Sequence, residues 1–200
     1  MNALKSLKAL TLASAFFACV SPALAGGTAT NSSSVNSSLT LNATAETAIT
    51  LTISTGSGGA NVSQGGEGQY FVDFGEVNGL GIGTPSNGVS VNVGGGGATY
   101  TTPITVTPTF SGFSETTATV KVYQDAGASG MSQSAAREGA NAASVSSVPS
   151  SSEAANIVAS EASNGAGITR YVGVFVSNAN GGSAVNGSLA PVFVYSVSVP

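Results

Sequence analysis

An alternation of apolar and polar residues runs from residue 35 to residue 53. Its apolar positions fall at every second residue and include Val35, Leu39, Leu41, Ala43, Ala45, Ile49, Leu51 and Ile53. Period two places such side chains on one face of a β-strand. The run covers about 19 residues, whereas strands of globular domains are usually about five or six residues long. It is therefore either two consecutive strands or one strand that extends beyond its own domain.

Further alternating or β-rich segments follow, separated by Gly-rich turns. They lie at residues 69–75, 89–93, 100–110, 116–123, 171–176 and 191–199. Pro103 and Pro108 in the third of these predict a sheet edge or strand ends. Seven or eight short strands with such turns predict an all-β fold, a β-sandwich.

The stretch 126–167 has a different composition. It is rich in Ala, Ser, Gly and Asn and has almost no large apolar residue. We expect a surface excursion between two strands, and we interpret it as an insertion in preference to a variable binding loop. Within it, residues 150–162 carry a serine N-cap pattern with Glu153 in the first turn, which is compatible with a short helix.

Residues 1–25 have the pattern of a cleaved secretory signal peptide. Lys5 and Lys8 precede an apolar stretch of about 12 residues, fewer than the roughly 20 that a membrane-spanning helix needs. The small residues Ala23 and Ala25 form a cleavage site that makes Gly26 the new N-terminus. We therefore expect a secreted protein with no membrane span in the mature chain.

Cleavage would leave few groups suited to acid–base or metal chemistry. The chain has no His and no Trp, and Cys19 would be lost with the signal. Three basic residues would remain against nine acidic ones, a formal charge of −6. Histidine is the most frequent general base and a common metal ligand, and nucleic acids require a basic surface. We expect no catalytic residues, no cofactor, no metal site and no nucleic-acid partner, and we interpret Asp73 and Glu76 as solvated turn residues.

Three segments resemble archaic chaperone–usher pilin subunits and spore-coat-protein-U-like secreted proteins. They are LTLNATA at 39–45 with Ile49-Thr50-Leu51 after it, VDFGEV at 72–77, and the alternating C-terminal strand at 193–199. The resemblance implies an immunoglobulin-like sandwich that lacks one strand and is completed by a strand from a neighbouring subunit. It also implies a periplasmic chaperone and an outer-membrane usher as partners.

Residues 26–46 would then be a flexible leader and donor strand, and residues 47–200 the sandwich. The donor anchors would be Val35, Leu39, Leu41, Ala43 and Ala45. An extended peptide with such anchors can add a strand to an open sheet edge, which would otherwise tend to aggregate. Our first hypothesis is a structural subunit of a pilus-like extracellular fibre that assembles by donor-strand exchange between copies. The second is a self-complete secreted β-sandwich that serves as an adhesin or binding module.

Overall fold

The computed structural model describes residues 43, 46–125, 135–178 and 191–200. The chain divides into two units, Met1–Thr44 and Ala45–Pro200, and all the described strands belong to the second. These strands are β1 (Ala48–Thr55), β2 (Val62–Gly66), β3 (Gln69–Val72), β4 (Ser90–Gly94), β5 (Gly97–Ser111), β6 (Thr117–Gln124), β7 (Ala136–Gly139), β8 (Ser146–Ser147), β9 (Asn156–Ser163), β10 (Ile168–Ser177) and β11 (Phe193–Ser198).

The larger sheet has six strands and is organised around β5, which is 15 residues long. β10 pairs antiparallel with the first part of β5, from Gly97 to Val106. β4 and β1 pair one after the other along the opposite edge of β5. β7 and β8 extend the sheet beyond β10.

Pro103 and Pro108 lie inside β5 and not at strand ends, but each occupies a local edge position, which is the other expected alternative. The pairing with β4 ends at Thr101, the pairing with β1 begins at Ile104, and the pairing with β10 ends at Val106. Among the described strands, each proline therefore lies where β5 lacks a partner on one side. A missing backbone N–H costs little at such a position.

A three-stranded sheet of order β11–β6–β9 packs on the larger one. On β6 the predicted alternation is confirmed, because Ala118, Val120 and Val122 are all buried. The main core cluster joins both sheets and consists of Ile104, Val106, Val120, Ala162 and Val172. Full burial of a side chain of valine size or larger contributes about 1.5–3 kcal/mol. The fold is all-β with several antiparallel sheets, as the sequence predicts.

The described part of the stretch 126–167 differs from the expected surface excursion. β7 and β8 belong to the larger sheet and β9 to the smaller one, and Ala136, Val148 and Ala162 are buried. Where the sequence is compatible with a short helix, β9 forms instead, and the helical element described in this stretch is a 3₁₀ turn at Ala142–Ser144. Pairing with neighbouring strands overrides the low strand propensity of Ala and Ser here.

A buried ion pair lies within the larger sheet, and a tyrosine of the smaller sheet is bonded to it. The Arg170 guanidinium on β10 donates from Nε and Nη2 to the two carboxylate oxygens of Glu138 on β7, at 2.6 and 2.8 Å. The Tyr195 hydroxyl on β11 donates to the same carboxylate at 3.3 Å. Only 1% of the Glu138 side chain is exposed, so its charge depends on these donors in place of water.

We expect Glu138→Gln to destabilise the protein strongly, because it leaves the Arg170 cation buried without its counter-ion. Removing one partner of a buried pair costs about 3–5 kcal/mol. Chemical denaturation followed by circular dichroism measures this loss. Glu161→Gln is the matched control, because Glu161 is exposed on β9. The free energy of unfolding of this variant should change by no more than about 0.5 kcal/mol. Equal losses in the two variants would contradict a structural role for the pair.

Burial, with the negative charge of Glu138, raises the pKa of Tyr195 well above its ordinary value of 10.0. Below pH 10 this hydroxyl is protonated in both the folded and the unfolded chain, so its contribution to stability is complete. Above pH 10 the unfolded chain releases the proton and the folded chain retains it, so stability falls as the pH rises.

Tyr195→Phe should therefore reduce the loss of stability between pH 10 and pH 11, as measured by thermal unfolding across that range. Tyr123→Phe is the matched control and should retain the loss, because Tyr195 is still present. If the stability of Tyr195→Phe falls between pH 10 and pH 11 as steeply as that of the parent chain, Tyr195 is not the source of the loss.

Candidate functional site: an apolar cleft between two strand edges

One end of the inner face of the larger sheet is covered by a connecting segment. Phe74, Val77 and Val89 of this segment pack on a buried cluster that contains Tyr100 and Val174. The Tyr100 hydroxyl donates to the Asn78 carbonyl at 2.8 Å and accepts the Asn78 N–H at 3.0 Å. These bonds fix the segment to β5.

The segment turns away from β3 at Gly75. The backbone of Gly75 has φ 69°, in the left-handed region that favours glycine. An added Cβ would lie 2.7 Å from the Ser86 nitrogen, because the chain returns close by and Ser86 donates its N–H to the Phe74 carbonyl. β3 thus ends at Val72, three residues before the end of the strand predicted at 69–75, and Gly75 allows the covering segment to turn back on itself.

A cleft of about 940 Å³ lies over this part of the sheet. Its floor is formed by side chains of three neighbouring strands: Ile53 of β1, Ile104 of β5, and Val172, Val174 and Val176 of β10. The β10 residues are alternate positions, as expected for one face of a strand. The floor is therefore an apolar sheet face.

The walls of the cleft are built differently from its floor. Consecutive residues line it at 68–77 on one side and at 191–193 on another. Because side chains alternate along a strand, an unbroken run of lining residues presents a backbone edge. Among the described strands, β3 pairs only with β2, and β11 pairs only with β6. Of the second run only Phe193 belongs to β11, so the cleft is a slot between the open edge of β3 and the start of β11, above an apolar floor.

An extended peptide in this slot could form hydrogen bonds to both edges. Neighbouring strands lie about 4.8 Å apart, and each strand offers N–H and C=O groups on both sides. Such a peptide would join the two-stranded β2–β3 sheet to the three-stranded β11–β6–β9 sheet. Its alternate apolar side chains would meet the floor.

The carboxylates at the cleft already accept hydrogen bonds from its own backbone and side chains. Asp73 Oδ1 accepts the Gly75 N–H at 2.8 Å, and Glu76 Oε2 accepts the Thr84 hydroxyl at 2.9 Å. Within the described ranges, no group of three or more His, Cys, Asp or Glu residues is placed to hold a metal ion. The cleft is suited to binding an apolar chain.

The residues predicted from sequence stand in different positions relative to this site. The signal-cleavage residues and four of the donor anchors lie outside the described residues: Ala23, Ala25, Gly26, Val35, Leu39, Leu41 and Ala45. Ala43 is described, and it is exposed and belongs to no strand. The segment 72–77, which carries part of the resemblance, forms most of one wall, and Phe193 of the C-terminal strand lines the other.

The floor of the cleft was not identified from the sequence. The alternation of Val172, Val174 and Val176 was the available signal, and it indicated a strand without indicating that these residues line a cleft. Comparison with protein-family models, with curated proteins and with solved structures gave no match. Among the described residues, no helix is long and apolar enough to cross a membrane.

We expect Val192→Asp to reduce binding of a hydrophobic fluorescent dye to the cleft while the thermal midpoint changes by no more than about 2 °C. Val192 lines the cleft and 44% of it is exposed, so the charge stays hydrated but makes the slot polar. Ile157→Asp on β9, where 63% of the residue is exposed away from the cleft lining, is the matched control. Equal dye binding by both variants would contradict the assignment of this cleft as the apolar binding site.

Proposed function

We propose that the protein is a structural subunit of an extracellular, pilus-like fibre, in which each copy inserts residues 31–46 into the cleft of the next copy. The observation that carries the proposal is the slot between the β3 and β11 edges above an apolar floor. An inserted strand would satisfy both edges and cover the floor, which is the geometry of strand addition.

The segment before β1 has the complementary pattern. Its anchors Val35, Leu39, Leu41, Ala43 and Ala45 fall on one parity, with Asn, Ser, Thr or Glu between them. A strand with this pattern presents apolar side chains to a sheet face and polar ones to water. The immunoglobulin-like character of the sandwich belongs to the same proposal.

The register of the larger sheet favours insertion of residues 31–46 from another copy over insertion of the same segment into its own domain. Ala48, where β1 begins, pairs with Ser111 at one end of β5, whereas the cleft residue Ile53 pairs with Val106. Five residues of β5 separate these positions, roughly 16 Å at about 3.3 Å per residue. Residues 31–46 span at most about 55 Å when extended. Folding back would use about a third of this length before the cleft is reached, whereas a segment from another copy keeps its full length for the cleft.

The proposed assembly implies partners and a location. An exposed apolar slot with open strand edges invites aggregation, so the subunit would need a temporary strand before it polymerises. A periplasmic chaperone could supply that strand and an outer-membrane usher could exchange it. Export by the N-terminal signal would place the finished fibre on the cell surface.

The test compares two double variants of the donor segment. Leu39→Asp with Leu41→Asp places charges on the anchor parity and should abolish SDS-resistant multimers and fibres in electron micrographs, since a carboxylate is costly to bury on an apolar floor. Thr40→Asp with Asn42→Asp is the matched control on the opposite parity, and it should preserve both.

Fibres of normal SDS resistance from the anchor variant would contradict the proposal. A monodisperse monomer from the parent chain in size-exclusion chromatography, with no fibres on the producing cells, would instead favour a self-complete adhesin or binding module.

A further inference from the structure

A patch of exposed aliphatic side chains lies at the end of the larger sheet that the cleft reaches. It comprises Leu80, Ile82, Val91 and Val93, which are 62%, 77%, 37% and 56% exposed. The cleft residue Val176 pairs with Ala98, and the first residue of β5 pairs with Gly94 at the end of β4. We call these four residues the aliphatic patch.

The aliphatic patch is held in a fixed arrangement. The Asn78 side-chain oxygen accepts the N–H groups of Leu80 and Ile82, at 3.0 and 3.2 Å. Asn78 is itself bonded to the buried Tyr100. Gly81 lies between Leu80 and Ile82 and has φ 73°, in the left-handed region that favours glycine. A Cβ added at this position would overlap a methyl group of Val93. An ordered, exposed apolar loop of this kind is typical of a contact surface.

A hollow of about 400 Å³ lies at the opposite end of the domain. It is lined by Phe110, Ser111, Gly112, Phe113, Glu115, Thr116 and Asn164. Phe110 and Phe113 meet edge to face with ring centroids 6.4 Å apart. Asn164 bonds both the N–H and the carbonyl of Phe110, at 2.9 and 2.7 Å, which fixes one side of the hollow.

The hollow adjoins the point where the donor segment joins its domain. An added Cβ on Gly112 would lie 2.8 Å from the Glu46 carbonyl oxygen, so the backbone at residue 46 runs along the rim. Only Glu46 and Thr47 separate Ala45 from β1. If residues 31–46 occupy a neighbour's cleft with residue 46 at the end near Val176, the hollow lies within about 10 Å of that end of the cleft.

We infer that successive subunits meet through a second contact, in which the aliphatic patch of the acceptor packs into the hollow of the donor. This inference rests on the proposed function. The patch exposes roughly a few hundred Å², whereas a stable interface buries about 800 Å² per partner, so the contact is too small to act alone. The inserted strand supplies a millimolar effective concentration. Patch and hollow lie at opposite ends, so the contact is heterologous and repeats along a fibre.

Cysteine pairs test the contact in the full chain, with the native Cys19 replaced by Ser. Leu80→Cys with Glu115→Cys places one thiol in the patch and one at the hollow. After oxidation of assembled fibres, heating in SDS without reductant should leave a ladder of disulfide-linked multimers. Leu80→Cys with Ile157→Cys is the control, since Ile157 is exposed on β9 away from both surfaces. The ladder should exceed the control by at least about tenfold.

Fibres whose ladder does not exceed the control would overturn the inference while leaving the proposed function intact. Absence of fibres from the parent chain, seen in micrographs before any crosslinking, would overturn the proposed function and the second contact with it. Leu80→Ser with Ile82→Ser gives an independent measurement. These fibres should form but bend several-fold more sharply than the parent fibres, and unchanged stiffness would overturn the second contact.

Discussion

The larger sheet has six strands and the smaller sheet has three, so strands of the smaller sheet cannot cover the whole inner face of the larger one. The cluster around Val106 and Val120 closes the part where the two sheets meet. At the other end, the segment that carries Phe74 and Val77 covers Tyr100. The cleft opens over the remainder of that face. Its floor residues Ile104, Val172 and Val174 are buried, whereas Phe71 and Val192 on its walls are exposed, so the walls carry the apolar surface that is unfavourable in water.

Several of the few charges of the chain take part in the packing of the larger sheet. Beyond the predicted signal, the cations are Lys121, Arg137 and Arg170. Arg170 is paired with the buried Glu138, and the Arg137 guanidinium lies 5.0 Å from the centre of the Phe175 ring. Both arginines therefore stabilise the sheet around β7 and β10. The rest of the chain is rich in small uncharged residues, whose burial does not require the desolvation of a charge.

The sequence predicts the strands whose burial alternates, because a half-buried strand imposes period two on its side chains. β6 and β11 belong to this class. β7 and β9 could not be predicted in this way, since Ala, Ser and Gly pack in a sheet without an apolar pattern. The Glu138–Arg170 pair joins residues 32 positions apart, and nothing local indicates it. The VDFGEV segment, noted in the sequence only for its resemblance, lines the cleft, but the cleft depends on how β3 and β11 are placed in space, which no local pattern encodes.

The polarity of the proposed fibre follows from the register of β5. Its first half, opposite Val172 and Val174, underlies the cleft, and its second half pairs with β1 in the antiparallel sense. The start of β1 therefore lies at the end of β5 that is farther from Val172 and Val174. If two copies exchanged strands reciprocally, both ends of each domain would have to face the same partner. A donor segment and a cleft at opposite ends of the domain instead favour a linear chain of subunits that does not close. A shift of β1 by one residue along β5 would turn its apolar side chains to the solvent-facing side of the sheet. The packing that stabilises the sandwich therefore also fixes the direction of the proposed assembly.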